Sequence, residues 1–237
     1  MVIVAKKKKK KRVFKIKNIC ILLGVLLLII GLIYYIFTMP IKNIYIKGNN
    51  LITDDEIIES TSLYQYPSFI LTKKSQLKKS IKKNQYIKTV DISKKLGNII
   101  EIKINEYKPI AITKEEKIII ENGQELENNY NLTDIPIIIN TISDKDIYNN
   151  FANKFSKINT NILRQISQIE YSPVEVDKDR FLLYMSDGNL VYITLTKIDK
   201  LNKYNKIKDK IEGKTGIIYL DSGNYIELKS QKNNQQS

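Results

Sequence analysis

Few side chains in this sequence could carry out acid–base or nucleophilic chemistry. The chain contains no histidine and a single cysteine, Cys20, which removes Ser-His-Asp and Cys-His catalysis and every histidine-ligated metal site. Asp187, in a Ser-Asp-Gly triplet, could place a carboxylate at a loop tip. Asp-Gly is also the dipeptide that tight hairpin turns prefer, so we interpret Asp187 as a turn residue. The sequence therefore predicts no catalytic residue, no metal site, no cofactor and no small-molecule substrate.

Six consecutive lysines, Lys6–Lys11, would suit nucleic-acid binding, but the segment after them gives a different explanation. The 21 residues from Ile19 to Met39 carry no charge, and about 20 apolar residues cross a bilayer as a helix. Nine basic residues and no acidic residue lie in residues 1–18, and positive charge beside a span stays in the cytoplasm. We therefore expect a cytoplasmic tail at 1–18, a bilayer-spanning anchor at 19–39, the rest of the chain outside, and no nucleic-acid partner.

A cleaved signal peptide is the alternative for the apolar segment. The run is longer than the usual apolar region of a signal peptide, and no A-x-A-like cleavage site follows it. The sequence therefore predicts an uncleaved, single-pass anchor.

The residues after the span predict the order β-α-α-β-β. A strand at 41–49 ends at Gly48-Asn49, and Thr53 and Glu56 have the spacing of a capping box at the start of a helix over 53–61. A second helix is predicted over 72–84, with Thr72 as its N-cap. Strands at 87–93 and 99–107 follow, with Gly97 in the turn between them.

This order, directly after one span, resembles the POTRA domain of the FtsQ/DivIB family of bacterial cell-division proteins. The resemblance rests on "IYIKGNN" followed by "LITDDEI", and on the junction "NEYKPIA" after the hairpin. The family's Leu-Pro before the middle strand is absent, and Gln85-Tyr86 stands there instead. The resemblance implies a POTRA domain at 41–108, in which Gly48, Asn49, Thr53 and Glu56 are the motif residues.

The resemblance continues through residues 109–229, which it implies form the family's second domain, the beta domain. Its predicted elements are a strand pair turning at Gly123, a strand at 134–139, a helical region over 143–166, a strand closed by Pro173, a hairpin at 181–195, a helix at 197–211 and strands at 215–229. Residues 230–237 are polar and are predicted to be disordered. The fold class expected is α+β, with one transmembrane helix, a POTRA domain and a mixed beta domain with a C-terminal sheet.

The resemblance implies a divisome scaffold that binds partners of the FtsL and DivIC/FtsB type outside the membrane, helps to regulate septal peptidoglycan synthesis and lies at the division septum. We expect a last strand to form a sheet edge that receives a partner strand. The candidate partner-binding residues are Ile217, Ile218, Tyr219, Tyr225, Ile226 and Leu228. The alternatives are that these strands are interior and covered by the tail, or that the protein is a membrane-anchored binding protein or enzyme acting on wall polymer.

Overall fold

A computed structural model describes residues 16–228 of the 237-residue chain. Most of the predicted basic tail and the predicted disordered tail at 230–237 lie outside the described residues. The architecture is α+β, as predicted, with an N-terminal apolar helix. The chain divides into two compact units: the first contains residues up to Lys83 together with Val90–Ile104, and the second contains Asn84–Thr89 together with the residues from Asn105 onward.

Helix α1, Ile16–Thr38, is the one described helix that is long and apolar enough to cross a membrane. Its 23 residues span about 35 Å at 1.5 Å per residue, which is sufficient for a bilayer core. Mean hydropathy reaches 3.0 in its most apolar window, and none of its side chains is buried. The helix covers most of the predicted span at 19–39, but it begins earlier, at Ile16, and Met39 lies just beyond its end.

The first unit follows the predicted β-α-α-β-β order. Its elements are β1 (Asn43–Lys47), α2 (Asp54–Thr61), α3 (Lys74–Ile81), β2 (Ile87–Lys95) and β3 (Ile99–Glu106). The sheet order is β1-β3-β2, and β1 runs parallel to β3. Apolar side chains from both helices and from alternate positions of β3 form the buried core: Ile57, Leu77, Ile81, Ile100, Ile102 and Ile104.

The capping box predicted for α2 is present. The Glu56 amide donates to the Thr53 hydroxyl at 3.3 Å, and the Glu56 carboxylate accepts from the Thr53 amide at 3.1 Å. The cap predicted for α3 was wrong. The Thr72 hydroxyl donates to the carbonyl of Ser68 at 2.7 Å, so α3 begins after Lys73, which makes no side-chain capping bond.

The second unit is built on one nine-stranded sheet with the order β12-β11-β10-β9-β8-β7-β4-β5-β6. The strands are β4 (Pro109–Ile112), β5 (Ile118–Ile120), β6 (Glu125–Leu126), β7 (Ile137–Ile138), β8 (Ile166–Tyr171), β9 (Arg180–Met185), β10 (Leu190–Thr194), β11 (Gly216–Tyr219) and β12 (Tyr225–Leu228). Strands β9 and β10 form the predicted hairpin, and β10 pairs with β11 in parallel.

Helical segments pack on the sheet of the second unit. The region predicted as helical over 143–166 consists of α4 (Lys145–Phe155) and α5 (Thr160–Leu163), and Ile166 already belongs to β8. The helix predicted at 197–211 is a 3₁₀-helix, Leu195–Lys203, followed by α6 (Tyr204–Asp209). Phe151 and Phe155 of α4 contact Phe181 of β9, with ring centroids 5.3 and 5.9 Å from it, at the centre of the core.

Candidate functional site

Strand β12 is one edge of the nine-stranded sheet, and no described strand pairs with its outer side. It pairs antiparallel with β11, in the register Gly216↔Leu228 to Tyr219↔Tyr225. The six residues predicted to bind a partner all lie in these two strands. The structure therefore brings the predicted residues together at a sheet edge, while their role as a binding site stays a prediction.

The two strands turn alternate side chains to opposite faces of the sheet. Ile218 is buried, and Ile226, its cross-strand partner, packs against the core. Tyr219 and Tyr225 form the next cross-strand pair and point to the opposite face, where Tyr225 is 50% exposed. The edge thus combines an inner row that holds β12 on the sheet with an outer row that remains accessible.

Three tyrosines stack across the last three strands on the outer face. The ring centroids of Tyr192 and Tyr219 lie 5.4 Å apart, and those of Tyr219 and Tyr225 lie 4.4 Å apart at an interplanar angle of 14°. The guanidinium of Arg180 lies 3.8 Å from the centroid of the Tyr192 ring. Cross-strand aromatic pairs and cation–π contacts each stabilise a sheet. This row therefore fixes β12 on β11 without covering the outer edge.

A buried ion pair holds the turn between β11 and β12. The Arg180 Nε lies 2.7 Å from Asp221 Oδ2, and both side chains are largely buried. The ammonium of Lys197 also donates to the backbone carbonyl of Asp221. Burial alone would raise the pKa of the Asp221 carboxyl, but its contacts with Arg180 and Ser222 outweigh burial and keep that pKa below its ordinary value. Asp221 is therefore ionised at neutral pH and anchors the turn.

Asp187 is a turn residue with a second structural role. Gly188 beside it has φ +85°, which the hairpin turn requires. Both Asp187 carboxylate oxygens accept from the Tyr204 hydroxyl at 2.9 Å, and Lys208 lies 3.1 Å away. Burial raises the pKa of the Asp187 carboxyl. Hydrogen bonds from Asn189 and Tyr204 and the charge of Lys208 lower it by more, so the pKa lies below its ordinary value. The ionised Asp187 carboxylate therefore acts here as a hydrogen-bond acceptor that holds Tyr204 and Lys208.

The Asp187 network extends to the edge strands through Asn189. Its side chain donates to Asp187 at 3.0 Å and to the Tyr204 hydroxyl at 3.0 Å, while its carbonyl oxygen accepts from the Gly216 amide at 2.9 Å. The first residue of β11 is therefore held by the hairpin of the neighbouring strands.

A groove of about 500 Å³ lies beside β12 on the inner face of the sheet. Its floor is apolar and includes Ile218 and Ile226. The 3₁₀-helix and α6 supply its basic rim, and no carboxylate belongs to the described residues that line it. The rim lysines are Lys200, Lys203, Lys206 and Lys210. The site therefore combines an open strand edge with an apolar, positively charged groove.

The POTRA motif residues have local structural roles. Gly48 has φ +86°, and a Cβ there would lie 2.3 Å from the carbonyl oxygen of Ile104, so only glycine fits. The Asn49 amide donates to the Ile52 carbonyl and to Asp54 Oδ1, both at 2.8 Å. Together with the Thr53–Glu56 box, these contacts fix the entry into α2. The anchor residue Ile19 lies near the start of α1.

Sequence reasoning missed the Arg180–Asp221 pair and the basic groove. Nothing near Arg180 signals Asp221, because the two residues are brought together only by the strand order. The groove lysines did leave a signal, since Lys203, Lys206 and Lys210 recur at helical spacing beside the apolar positions. Within residues 16–228, no three His, Cys, Asp or Glu side chains gather in a way that could hold a metal ion.

Comparison with known proteins identifies the family. Residues 39–107 match the family model described as "POTRA domain, FtsQ-type". The cell division protein DivIB of Bacillus subtilis is 31% identical over 79% of this chain and 73% of its own length. That of Listeria monocytogenes is 28% identical over 96% of this chain and 87% of its own length.

A third relative extends the match, and one solved structure adds little to it. DivIB of Bacillus anthracis is 30% identical over 93% of this chain and 86% of its own length. A solved extracytoplasmic domain of DivIB from Geobacillus stearothermophilus is 25% identical and covers 46% of this chain, but its TM-score of 0.38 establishes no shared fold. Because these relatives are about 30% identical over most of both chains, the chain belongs to the FtsQ/DivIB family: it is a bitopic membrane protein of bacterial cell division.

Proposed function

We propose that the chain is a non-catalytic scaffold of the divisome that binds FtsL and DivIC/FtsB-type proteins outside the membrane. It acts at the division septum, where these contacts help to regulate septal peptidoglycan synthesis. In this arrangement residues 1–18 are cytoplasmic and the two folded units are extracytoplasmic. The observation that carries the proposal is the outer edge of β12, which no described strand occupies.

An open strand edge supports binding by backbone pairing. Its N–H and C=O groups form a row that an extended partner segment completes as a further strand, and its outward side chains add specificity. At β12 those side chains include Tyr225 and Leu228, both about half exposed. The tyrosine row and the Asp221 anchor keep the edge in place before a partner arrives, which lowers the entropic cost of binding.

The adjacent groove defines the chemistry of the partner segment. An apolar floor flanked by four lysines favours a segment that carries apolar and acidic side chains next to its added strand. Carboxylates on that segment would find positive charge along the rim and no described acidic residue lining the groove. We therefore propose that the partner strand continues into an acidic, amphipathic segment.

Hydrogen exchange tests the strand pairing directly. The full-length chain, reconstituted in nanodiscs, is measured with and without the DivIC-type protein of the same organism. Addition of a partner strand should slow exchange of those amides within 225–228 that face away from β11 by about tenfold or more. Protection that appears only elsewhere in the chain, with β12 unchanged, would exclude this edge.

A charge reversal tests the groove. Lys206→Glu should weaken partner binding by about tenfold, because it sets a carboxylate against an acidic segment. Lys178→Glu is the matched control, since Lys178 is exposed in the same unit and does not line the groove. Equal weakening by both variants would show that only the total charge matters and would refute the groove as a contact.

Topology and location need their own measurements. Protease added to intact protoplasts should remove the folded units and leave the basic tail protected, because nine basic residues flank the span on that side. A fluorescent fusion should concentrate at midcell in dividing cells. Loss of the tail with retention of the folded units would reverse the proposed orientation, and a uniform membrane distribution would contradict the septal role.

A further inference from the structure

Two loops of the first unit lie at the C-terminal end of α1. One connects α2 to α3, and the other is the turn between β2 and β3. Both carry exposed apolar side chains, and lysines lie in or directly beside them. We call this surface the span-proximal patch, and its members are Tyr66, Ile70, Leu71, Lys73, Lys74, Lys94 and Leu96.

Hydrogen bonds tie both loops to the residues that leave the span. The Ser68 hydroxyl donates to the Phe37 carbonyl at 2.6 Å, and the Phe69 amide donates to the Met39 carbonyl at 2.9 Å. From the other loop, the Asn98 side chain donates to the Pro40 carbonyl at 3.0 Å. The patch is therefore fixed beside the point where α1 ends, and a membrane crossed by α1 has its surface there.

A lysine near the end of β2, next to the β2–β3 turn, joins that strand to the α2–α3 loop. The Lys94 ammonium donates to the carbonyl of Phe69 and, at 3.2 Å, to that of Ile70, and it lies 4.8 Å from the centroid of the Phe69 ring. Burial lowers the pKa of Lys94, and the nearby charge of Lys74 lowers it further. The apolar side chains of the two loops thus belong to one connected surface.

The exposure of these apolar side chains is unusual for a surface in water. Leu96 is 98% exposed and Leu71 is 61% exposed, and Tyr66 and Ile70 are also open to solvent. Single exposed apolar residues are common, but several gathered on joined loops indicate a contact surface. Their position beside the span identifies what they contact, because the interfacial layer of a bilayer accepts aliphatic and tyrosine side chains.

The charge of this region matches anionic lipid. Residues 60–90 contain seven lysines and no acidic residue, and Lys73 and Lys74 follow the apolar loop directly. Lys95, the last residue of β2, is partly neutralised by Glu101 at 3.4 Å, so the lysines at and in α3 supply most of the positive charge. Lysines beside apolar side chains that can enter the headgroup boundary are the combination that binds the surface of an anionic membrane.

We propose that the span-proximal patch docks on the bilayer surface where α1 emerges, with Leu71 and Leu96 in the headgroup boundary and Lys73 and Lys74 on anionic headgroups. This contact is separate from the β12 edge and needs no protein partner. It holds the first unit against the membrane, so that the unit does not swing freely on its single helix.

Tryptophan fluorescence tests the docking, because the chain contains no tryptophan of its own. Leu96→Trp and Leu71→Trp each place one reporter in the patch of the full-length chain, which is reconstituted in nanodiscs of anionic lipid with brominated acyl chains. Tyr45→Trp is the control. Tyr45 is 51% exposed in β1 of the same unit, and it lies about 16 Å along the strand direction from Pro40 at 3.3 Å per residue.

Docking predicts that both patch reporters are quenched at least twofold more strongly than the Tyr45→Trp reporter, with emission shifted to shorter wavelength. Circular dichroism identifies variants that keep the fold, and Leu96 is so exposed that its replacement should leave the core intact. Equal quenching of the patch and control reporters in folded protein would overturn the proposal.

The lipid charge is tested on the Leu96→Trp background. Replacing Lys73 and Lys74 with glutamine should lower the ratio of docked to undocked protein about fivefold for each lysine that contacts the headgroups. Replacing Lys82 and Lys83, exposed lysines at the other end of α3, should change that ratio less than twofold. An equal effect of the two pairs would refute the assignment of this surface.

Discussion

Glycine at position 216 allows β12 to approach β11, and Gly216→Ala should separate the two strands. A Cβ at this position would lie 2.4 Å from the carbonyl oxygen of Glu227 and 3.2 Å from the Cα of Leu228, both backbone atoms of β12. The φ of Gly216 is not in the left-handed region, so alanine is otherwise acceptable there. The effect of the substitution is therefore limited to the contact between the two strands.

The size of the effect follows from these distances. An ordinary contact needs the Cβ and the oxygen about 1.0 Å farther apart, which would lengthen a ladder hydrogen bond of about 2.9 Å beyond 3.5 Å. Loss of two such bonds, at about 1 kcal/mol each, destabilises β12 by about 2 kcal/mol. The core of the second unit should keep most of its stability, because Ile226 is the one residue of β12 that packs against it.

Hydrogen exchange of the full-length chain measures this difference. Gly216→Ala should speed exchange of the β12 amides about thirtyfold, while the amides of β8 and β9 exchange as before. If β12 receives the partner strand, partner binding should fall in parallel. The matched control is Gly223→Ala, where a Cβ meets the side-chain ring of Tyr225 at 3.3 Å and no backbone atom within 4 Å.

Two results would refute this reasoning. Exchange at β12 within twofold of the wild type would show that the strand approach is not tight. Equal acceleration in β8 and β9 would show that β12 is part of the cooperative core and not a separable edge.

Three further predictions concern side chains that stabilise the fold within each unit. Arg180→Met should destabilise the second unit by about 3–5 kcal/mol, because it leaves Asp221 buried without its partner, and adding Asp221→Asn should recover much of this in urea unfolding. Thr53→Ala should cost the first unit about 1 kcal/mol by removing the acceptor for the Glu56 amide, measured by exchange in α2. The pKa values of Asp187 and Asp221 are depressed in the folded chain, so their stabilisation is complete above about pH 4 and lost as pH falls through the folded pKa values. The urea midpoint should therefore drop below pH 4, and less steeply in Asp221→Asn.

Each of these has a result that contradicts it. No recovery in the double variant would show that the arginine acts through its stacking on Tyr192 alone. A Thr53→Ala chain with unchanged exchange would show that the capping box is redundant. An identical acid profile for Asp221→Asn and the wild type would assign the pH dependence to other carboxylates.

Features set by neighbouring residues were predicted from the sequence, and features set by distant ones were not. The capping box depends on two residues three apart, and the β9–β10 hairpin depends on its Asp-Gly turn, so both follow from local chemistry. The strand β4 was missed because its four residues, Pro109–Ile112, look like part of a junction. Only pairing with β5 and β7 makes this segment a strand.

The failed cap at Thr72 has a local cause of a different kind. Threonine favours the N-cap position, but the carbonyl of Ser68 lies within 2.7 Å and accepts the hydrogen bond of the Thr72 hydroxyl instead.

The candidate edge could be assigned to residues 215–229 from composition. The choice of β12 over β11 as the outer strand needed the pairing order of the whole sheet. That order is set by long-range pairing, which no local pattern in the sequence indicates.

The two ends of the nine-stranded sheet differ in their capacity to pair with a further strand. At one end, β6 consists of Glu125–Leu126, about 7 Å of strand, which is too short to pair stably with an incoming chain. At the other end, β12 offers four residues. If β12 receives the partner strand as proposed, this sheet accepts one strand and not two, and copies of the second unit do not join end to end through its two edges. On that proposal, the nine-stranded sheet binds a strand-donating partner one to one, and each bound partner strand ends the sheet at β12.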